Sequence, residues 1–159
     1  MFAVGDKVVY PVHGAGVIQA IEQREILGQE HNYYVLHIPF GDMTLLVPVE
    51  MVNKLGMREV IPQERVSEIF DILRSQPDEF DDNWNRRYRQ HMDKIKSGDI
   101  IDVAQVVRNL MSRNMSKGLS TGEKKLLDQA RQILVSELML AEEKSENVVM
   151  DAIDQVFIS

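Results

Sequence analysis

The residues best suited to binding chemistry lie in one short stretch, residues 83–89. It contains Trp84, the only tryptophan, together with Arg86, Arg87 and Arg89. An aromatic ring can stack on nucleic-acid bases and guanidinium groups bind phosphate, so the combination is typical of nucleic-acid contact. If the stretch is helical, Arg86 and Arg89 share one face while Arg87 flanks the other side of the ring. The stretch therefore predicts an exposed indole surrounded by positive charge.

The same tryptophan also belongs to a pattern that favours burial. Apolar residues recur every three or four positions, the spacing of a helix face packed on a core, at Trp84, Tyr88, Met92 and Ile95. Asn83, or an aspartate of the acidic run 78–82, can cap this helix. Both interpretations stay open, because the first residue of the face lies at the helix tip, where it can protrude beyond the core.

The charge distribution limits how strongly such a site could bind DNA. The net charge is −7, yet residues 83–135 contain eleven Lys or Arg against five Asp or Glu. The segments on both sides are acidic, which weakens long-range attraction to DNA and leaves a local positive footprint. We expect a protein that binds DNA weakly on its own.

Several other kinds of chemistry find no support. The chain has no cysteine, which excludes disulfides, zinc–thiolate sites and thiol catalysis and fits a reducing cytoplasm. Gly14 and Gly16 match no phosphate-binding fingerprint and indicate a turn. We expect no metal and no cofactor, because the histidines lack metal-ligand spacing and are expected at surface or turn positions: His13, His31, His37 and His91.

The size and composition favour a soluble globular protein. The chain has 159 residues, of which 44% are hydrophobic and 27% charged. Neither a signal peptide nor an apolar run of membrane-spanning length is recognisable. We expect a cytoplasmic monomer of one medium or two small domains.

Residues 1–55 have the pattern of short strands joined by turns. Apolar runs at 8–10, 17–21, 23–27, 33–38 and 43–47 are separated by segments rich in Gly and Pro. So short a sheet must curl to enclose a core, which predicts a small SH3-like or Tudor-like β-barrel. Tyr33 and Tyr34 point to opposite faces of one strand, so one of them is expected in the core.

The pattern becomes helical after residue 56. Five helices are expected, near 62–75, 84–96, 99–118, 120–140 and 145–156. Asp99 and Ser145 can cap two of them, and Ser120 with Glu123 forms a capping box for another. The predicted fold class is α+β, with the barrel at residues 1–57 and a compact five-helix domain at residues 58–159.

Three separated motifs give the chain a family resemblance. Residues 4–16 (VGDKVVYPVHGAG), 83–88 (NWNRRY) and 118–124 (GLSTGEK) resemble, in this order, the CarD/CdnL family of bacterial transcription regulators. The resemblance covers essentially the whole chain. The first motif taken alone is also similar to the polymerase-binding module of transcription-repair coupling factor.

The resemblance implies a two-part mechanism. The Tudor-like domain would dock on the RNA polymerase β subunit, and the helical domain would contact promoter DNA at the upstream edge of the transcription bubble. Largely sequence-independent contact with the melted promoter would stabilise the open complex. Regulation of transcription initiation would follow.

Site residues are carried over by position in the motifs. The resemblance places DNA contacts at Trp84, Arg86, Arg87, Arg89 and Lys124, and polymerase contacts at Arg24, Ile26 and Leu46. Arg24 and Leu46 are expected on neighbouring strands, where an exposed sheet edge could recognise a partner. Leu46 departs from the family, which carries a basic residue there.

Two other classes of function are alternatives. A protein–protein adapter could act through the barrel alone, with the basic segment as a solvated face. An enzyme is expected to show clustered catalytic groups, and the sequence offers no phosphate loop, nucleophile elbow or histidine cluster. Retention of promoter DNA by a complex with polymerase separates the regulator from the adapter.

Overall fold

The N-terminal part is one antiparallel sheet in the computed structural model, which describes residues 1–158. Its strands are β1 (Lys7–Tyr10), β2 (Gly14–Ile26), β3 (Gln29–Ile38), β4 (Met43–Pro48) and β5 (Arg58–Glu59). They are hydrogen-bonded in the order β4-β3-β2-β1-β5. A short helix, α1 (Val52–Leu55), connects β4 to β5. The predicted α+β fold class, with a small N-terminal β domain of the Tudor-like kind followed by helices, is confirmed.

The strands differ from the prediction in β2, β3 and β5; β3 begins at Gln29, four residues before the predicted run at 33–38. Residues 17–27 were expected as two strands, but β2 is continuous, with a register shift between Ile18 and Ala20. Its pairing with β3 ends in a tight turn in which Leu27 and Gly28 both have positive φ. β5 was not expected, because a two-residue strand has no periodicity; it pairs with β1.

Strand alternation builds the core of the sheet. On β3, Tyr34, Leu36 and Ile38 are buried and pack with Ile18 and Val47 from the flanking strands. The Tyr34 hydroxyl donates to the carbonyl of Phe2 (2.9 Å) and accepts from its amide (3.1 Å). The prediction that one of the two tyrosines lies in the core is thus confirmed.

The remainder of the chain is helical. Its helices are α2 (Val66–Arg74), α3 (Trp84–Lys96), α4 (Ile100–Ser116), α5 (Thr121–Glu142) and α6 (Glu146–Ile158). With α1, the described residues contain six α-helices, of which the five after β5 match the predicted set. No helix within residues 1–158 combines the length and the apolar character that crossing a membrane requires.

The helix starts follow the predicted capping residues. Asn83 accepts a hydrogen bond from the Arg86 amide (3.1 Å), and Asp99 accepts one from the Ile101 amide (2.9 Å). These contacts satisfy amides that have no partner within the helix. α4 lies at the centre of the bundle, with Val106, Val107 and Leu110 wholly buried among the other helices.

The sheet and the helices meet along α5. The Ser136 hydroxyl accepts a hydrogen bond from the buried amide of Ala15 on β2 (2.8 Å). The approach is close because Gly14 has no side chain: a Cβ there would lie 2.9 Å from Ser136 Oγ. β2 and α5 are therefore in direct contact.

A buried carboxylate strengthens this junction. Glu137 on α5, only 1% exposed, accepts two hydrogen bonds of 2.7 Å from the Arg58 guanidinium on β5. It also accepts one of 2.9 Å from the Ile61 amide in the connection to the helices. Arg58 further donates to the carbonyl of Gly98 before α4 (2.7 Å). Three segments distant in sequence thus share one charged cluster.

We predict that Glu137→Ala destabilises the protein by about 3–5 kcal/mol, because it leaves the Arg58 guanidinium and the Ile61 amide without their acceptor. Urea unfolding measures the change. The control is Glu143→Ala, since Glu143 is highly exposed and pairs with Lys7 at 3.3 Å across the same junction. That variant should lose less than about 1 kcal/mol. Equal losses in both variants would contradict the role given to Glu137.

Candidate nucleic-acid interface

Trp84 lies at the tip of a progressively buried helix face. It is the first residue of α3 and is 40% exposed, whereas Tyr88 and Met92 are half-buried and Ile95 is wholly buried. Both sequence interpretations therefore hold for parts of the same face. The last three residues pack on the core, and the indole protrudes.

The exposed indole is supported on several sides. Its ring stacks on Tyr88, with centroids 5.0 Å apart and planes inclined by 24°. Its Nε1–H donates to the Ser120 hydroxyl (3.0 Å) at the start of α5. A Cβ on Gly122 would lie 3.2 Å from indole Cζ2, so the ring edge approaches the backbone of α5. The ring therefore has supporting contacts on several sides while 40% of the residue stays exposed to solvent.

Arg87 is not the surface cation that the resemblance implies. It is 6% exposed, and its guanidinium donates to both carboxylate oxygens of Glu123 (2.9 and 3.3 Å) and to the carbonyl of Asp81 (2.9 Å). With these contacts it cannot reach a phosphate. Sequence reasoning missed the pair because its members lie 36 positions apart.

The charge of Glu123 is maintained inside this pair. Burial alone would raise the pKa of its carboxyl, but the Arg87 hydrogen bonds and charge, with the Ser120 contacts, lower that pKa below the usual value. The predicted capping box is present in a modified form. The Glu123 amide donates to Ser120 Oγ (3.2 Å), while the Glu123 carboxylate contacts that hydroxyl and Arg87.

Three of the expected DNA contacts are exposed cations. Arg86 extends from α3 with a side chain 66% exposed and makes a 3.3 Å ion pair with Asp81. Arg89 on α3 and Lys124 on α5 are exposed, and neither forms an ion pair within residues 1–158. A surface pair such as that of Arg86 contributes little stability, so a phosphate could replace its carboxylate.

The expected polymerase contacts share one face of the sheet. Arg24, Ile26 and Leu46 pair with His31, Gln29 and Val35 of β3, respectively. These partners alternate with the buried β3 residues, so all three side chains lie on the face opposite the core.

The expected adjacency of Arg24 and Leu46 is wrong, because β3 lies between β2 and β4. The surface is a sheet face that spans three strands. Ile26 is 48% and Leu46 41% exposed, and Arg24 makes a 2.9 Å ion pair with Glu22. This sheet face thus combines exposed apolar side chains with one cation, which can exchange its ion-pair partner for another.

His91 departs from the expected surface position. It is 5% exposed on α3, its Nδ1 has no hydrogen-bond partner, and its Nε2 lies 3.4 Å from the Asn109 amide nitrogen. Burial, aided by the charge of Lys94, lowers its pKa to about 4. The spacing of Arg87, His91 and Ile95, four residues apart, is a signal that could have identified this second buried face.

The pKa of His91 predicts a pH-dependent stability. The unfolded chain binds a proton near pH 6.5, while the folded chain resists protonation until about pH 4. The free energy of unfolding should therefore fall by about 3 kcal/mol between these pH values. His91→Gln should remove most of this fall, and His13→Gln, at an exposed site, should keep it. Equal pH profiles for the wild type and His91→Gln would contradict the prediction.

Comparisons with known proteins cover both parts of the chain. Residues 2–61 match the family model described as CarD-like/TRCF RID domain, and residues 68–154 match the model described as CarD, C-terminal domain. The solution NMR structure of the 72-residue N-terminal domain of Myxococcus xanthus CarD is 32% identical. The match covers 37% of this chain and 79% of that one, with a TM-score of 0.33.

A curated relative extends the similarity along most of the chain. "Putative transcription factor YdeB" of Bacillus subtilis (strain 168) is 39% identical over 138 residues, which is 87% of this chain and 90% of that protein. The C-terminal model alone spans more than half of the 159 residues. The protein therefore belongs to the CarD family of transcription regulators, with the two domains of that family in sequence.

Proposed function

We propose that this protein docks on the RNA polymerase β subunit through the sheet and contacts promoter DNA through the helical part, stabilising the open complex during initiation. The observation that carries the proposal is the exposed, supported indole of Trp84 on α3, with the exposed cations Arg86 and Arg89 on the same helix and Lys124 on α5. In this proposal, residues 1–57 bind polymerase and residues 58–159 bind DNA.

The proposed docking surface is the outer sheet face with Arg24, Ile26 and Leu46. Its support is the match of residues 2–61 to the CarD-like/TRCF RID domain model, a resemblance that implies polymerase binding. Arginine is enriched at protein interfaces, and a partner that covers the exposed Ile26 and Leu46 side chains would remove apolar surface from water. Leu46 would contribute an apolar contact where the family carries a cation.

The proposed DNA contact is weak and largely independent of sequence. The exposed cations can neutralise phosphates, but a net charge of −7 opposes the approach of DNA. Docking on polymerase would offset this weakness, because it makes the DNA contact intramolecular and raises the effective concentration of the helical surface.

Preference for melted DNA would come from Trp84. An aromatic side chain can stack on base faces that are accessible where a duplex has opened, and these faces are hidden in the closed duplex. A ligand shifts an equilibrium only by its differential affinity, so this contact would favour the open complex. Charge contacts alone would bind the open and closed promoters about equally.

We predict that Arg24→Glu prevents retention of the β subunit without unfolding the protein, because a surface charge reversal costs little stability but disrupts an interface. Co-purification with polymerase measures binding. The control is Lys54→Glu, the same charge change on α1, which packs on the core side of the sheet and carries Lys54 exposed. Loss of binding in both variants, or in neither, would remove the outer face as the docking site.

We predict that Trp84→Ala shortens the lifetime of the open complex by about 5- to 150-fold, the equivalent of about 1–3 kcal/mol of stacking. Retention of polymerase should be unchanged, because the sheet is intact. Trp84→Phe should restore part of the lifetime, since it keeps an aromatic face of smaller area. An unchanged lifetime for Trp84→Ala would contradict the regulator mechanism and favour an adapter that acts through the sheet alone.

A further inference from the structure

We propose that Ser120 is a positioning residue that fixes the orientation of the Trp84 indole for its contact with DNA. The inference rests on the function proposed above and extends it to Ser120, to which that function assigns no contact with polymerase or with DNA. Three observations carry it: the hydrogen bonds of the Ser120 hydroxyl, the buried pair behind it, and the close approach of Gly122.

The hydroxyl of Ser120 uses its full hydrogen-bonding capacity. It accepts from indole Nε1 (3.0 Å) and from the Glu123 amide (3.2 Å), and it donates to Glu123 Oε1 (3.2 Å). A hydroxyl offers one donor and two acceptor positions, so all three are occupied. Its oxygen is therefore held in place when it receives the indole N–H.

The buried pair behind Ser120 connects this contact to the core. Glu123 is 2% exposed and binds Arg87, which follows Trp84 by three positions on α3. α3 and the start of α5 are thus joined twice, by Arg87 with Glu123 in the interior and by Trp84 with Ser120 at the surface. The interior contact limits movement between the helices, so the outer one can hold the ring in one orientation.

Gly122 provides the space that this orientation needs. A Cβ at position 122 would lie 3.2 Å from indole Cζ2 and 3.6 Å from Tyr88 Cε2. Gly122 is in the first turn of α5, and no positive φ requires glycine there. Alanine would therefore suit the helix better than glycine but crowd the ring. Gly122→Ala should displace the indole without weakening the fold.

Fixing the ring in advance matters for binding. Immobilising a side chain at an interface opposes association, so a ring already held in its bound orientation loses less freedom. Without the Ser120 contact the indole could still stack, but less often in the required orientation. The loss should be smaller than that caused by removing the ring.

The test uses the intrinsic fluorescence of Trp84, the only tryptophan, together with open-complex lifetimes. In the free protein, Ser120→Ala should speed the local anisotropy decay and increase acrylamide quenching, and Ser120→Thr should restore both values. Gly122→Ala should change the emission spectrum while its urea unfolding midpoint stays at or above that of the wild type. If the role of Ser120 were purely structural, Ser120→Ala would have a lower urea unfolding midpoint than the wild type, and the ring motion measured in the folded state would not change.

With polymerase and promoter, Ser120→Ala and Gly122→Ala should shorten the open-complex lifetime by about two- to tenfold. Ser120→Thr should restore the lifetime. Wild-type lifetimes in both variants, beside a shortened lifetime in Trp84→Ala, would overturn the positioning role and leave the proposed function intact. A wild-type lifetime in Trp84→Ala itself would overturn the proposed function. Unchanged indole motion in Ser120→Ala would overturn the positioning role directly.

Discussion

The arrangement of the sheet against the helices depends on the hydrogen bonds that the buried carboxylate of Glu137 accepts. Its two oxygens accept hydrogen bonds from the Arg58 guanidinium and the Ile61 amide, and Arg58 also donates to the carbonyl of Gly98. A buried ion pair does not by itself make a protein more stable than apolar packing would, but removing one partner is costly. The charge cluster therefore specifies one arrangement of these segments. The neighbouring contact between Ser136 and Ala15 extends the same junction to β2.

This junction connects the sheet, which carries one candidate surface, to the helices, which carry the other. The outer face of the sheet and the tip of α3 belong to one set of connected elements, so docking of the first would also place the second. In the proposed mechanism a weak DNA surface would be sufficient, since docking on the partner would set its local concentration. The acidic net charge would then disfavour DNA binding away from polymerase, because it opposes unassisted association.

Local patterns predicted much of the fold and part of the candidate site. Apolar spacing identified the five C-terminal helices, capping residues such as Asn83 and Asp99 identified their starts, and the position of Trp84 at the end of a stripe anticipated its protrusion. These features depend on neighbours within a few positions. Such information is present in the sequence as periodicity and residue type.

Features that depend on distant partners could not be predicted in this way. Sequence patterns predict Arg87 as a surface arginine, but its contact with Glu123, 36 positions away, is buried. The pairing of Arg58 with Glu137 spans 79 positions, and the two-residue strand β5 that carries Arg58 forms by pairing with β1. The order of the sheet, with β3 between Arg24 and Leu46, likewise follows from tertiary pairing.

In the proposed mechanism, docking raises the local concentration of a DNA-binding surface that is weak on its own. The most direct test is to titrate the open-complex lifetime against protein concentration, at low ionic strength, for the wild type and Arg24→Glu. Both proteins should reach the same maximal lifetime, because Trp84 and the exposed cations are unchanged. Arg24→Glu should need a concentration higher by about 10²-fold or more. A lower maximal lifetime at an unchanged midpoint concentration would exclude this mechanism, since Arg24 would then act on the open complex itself rather than through docking.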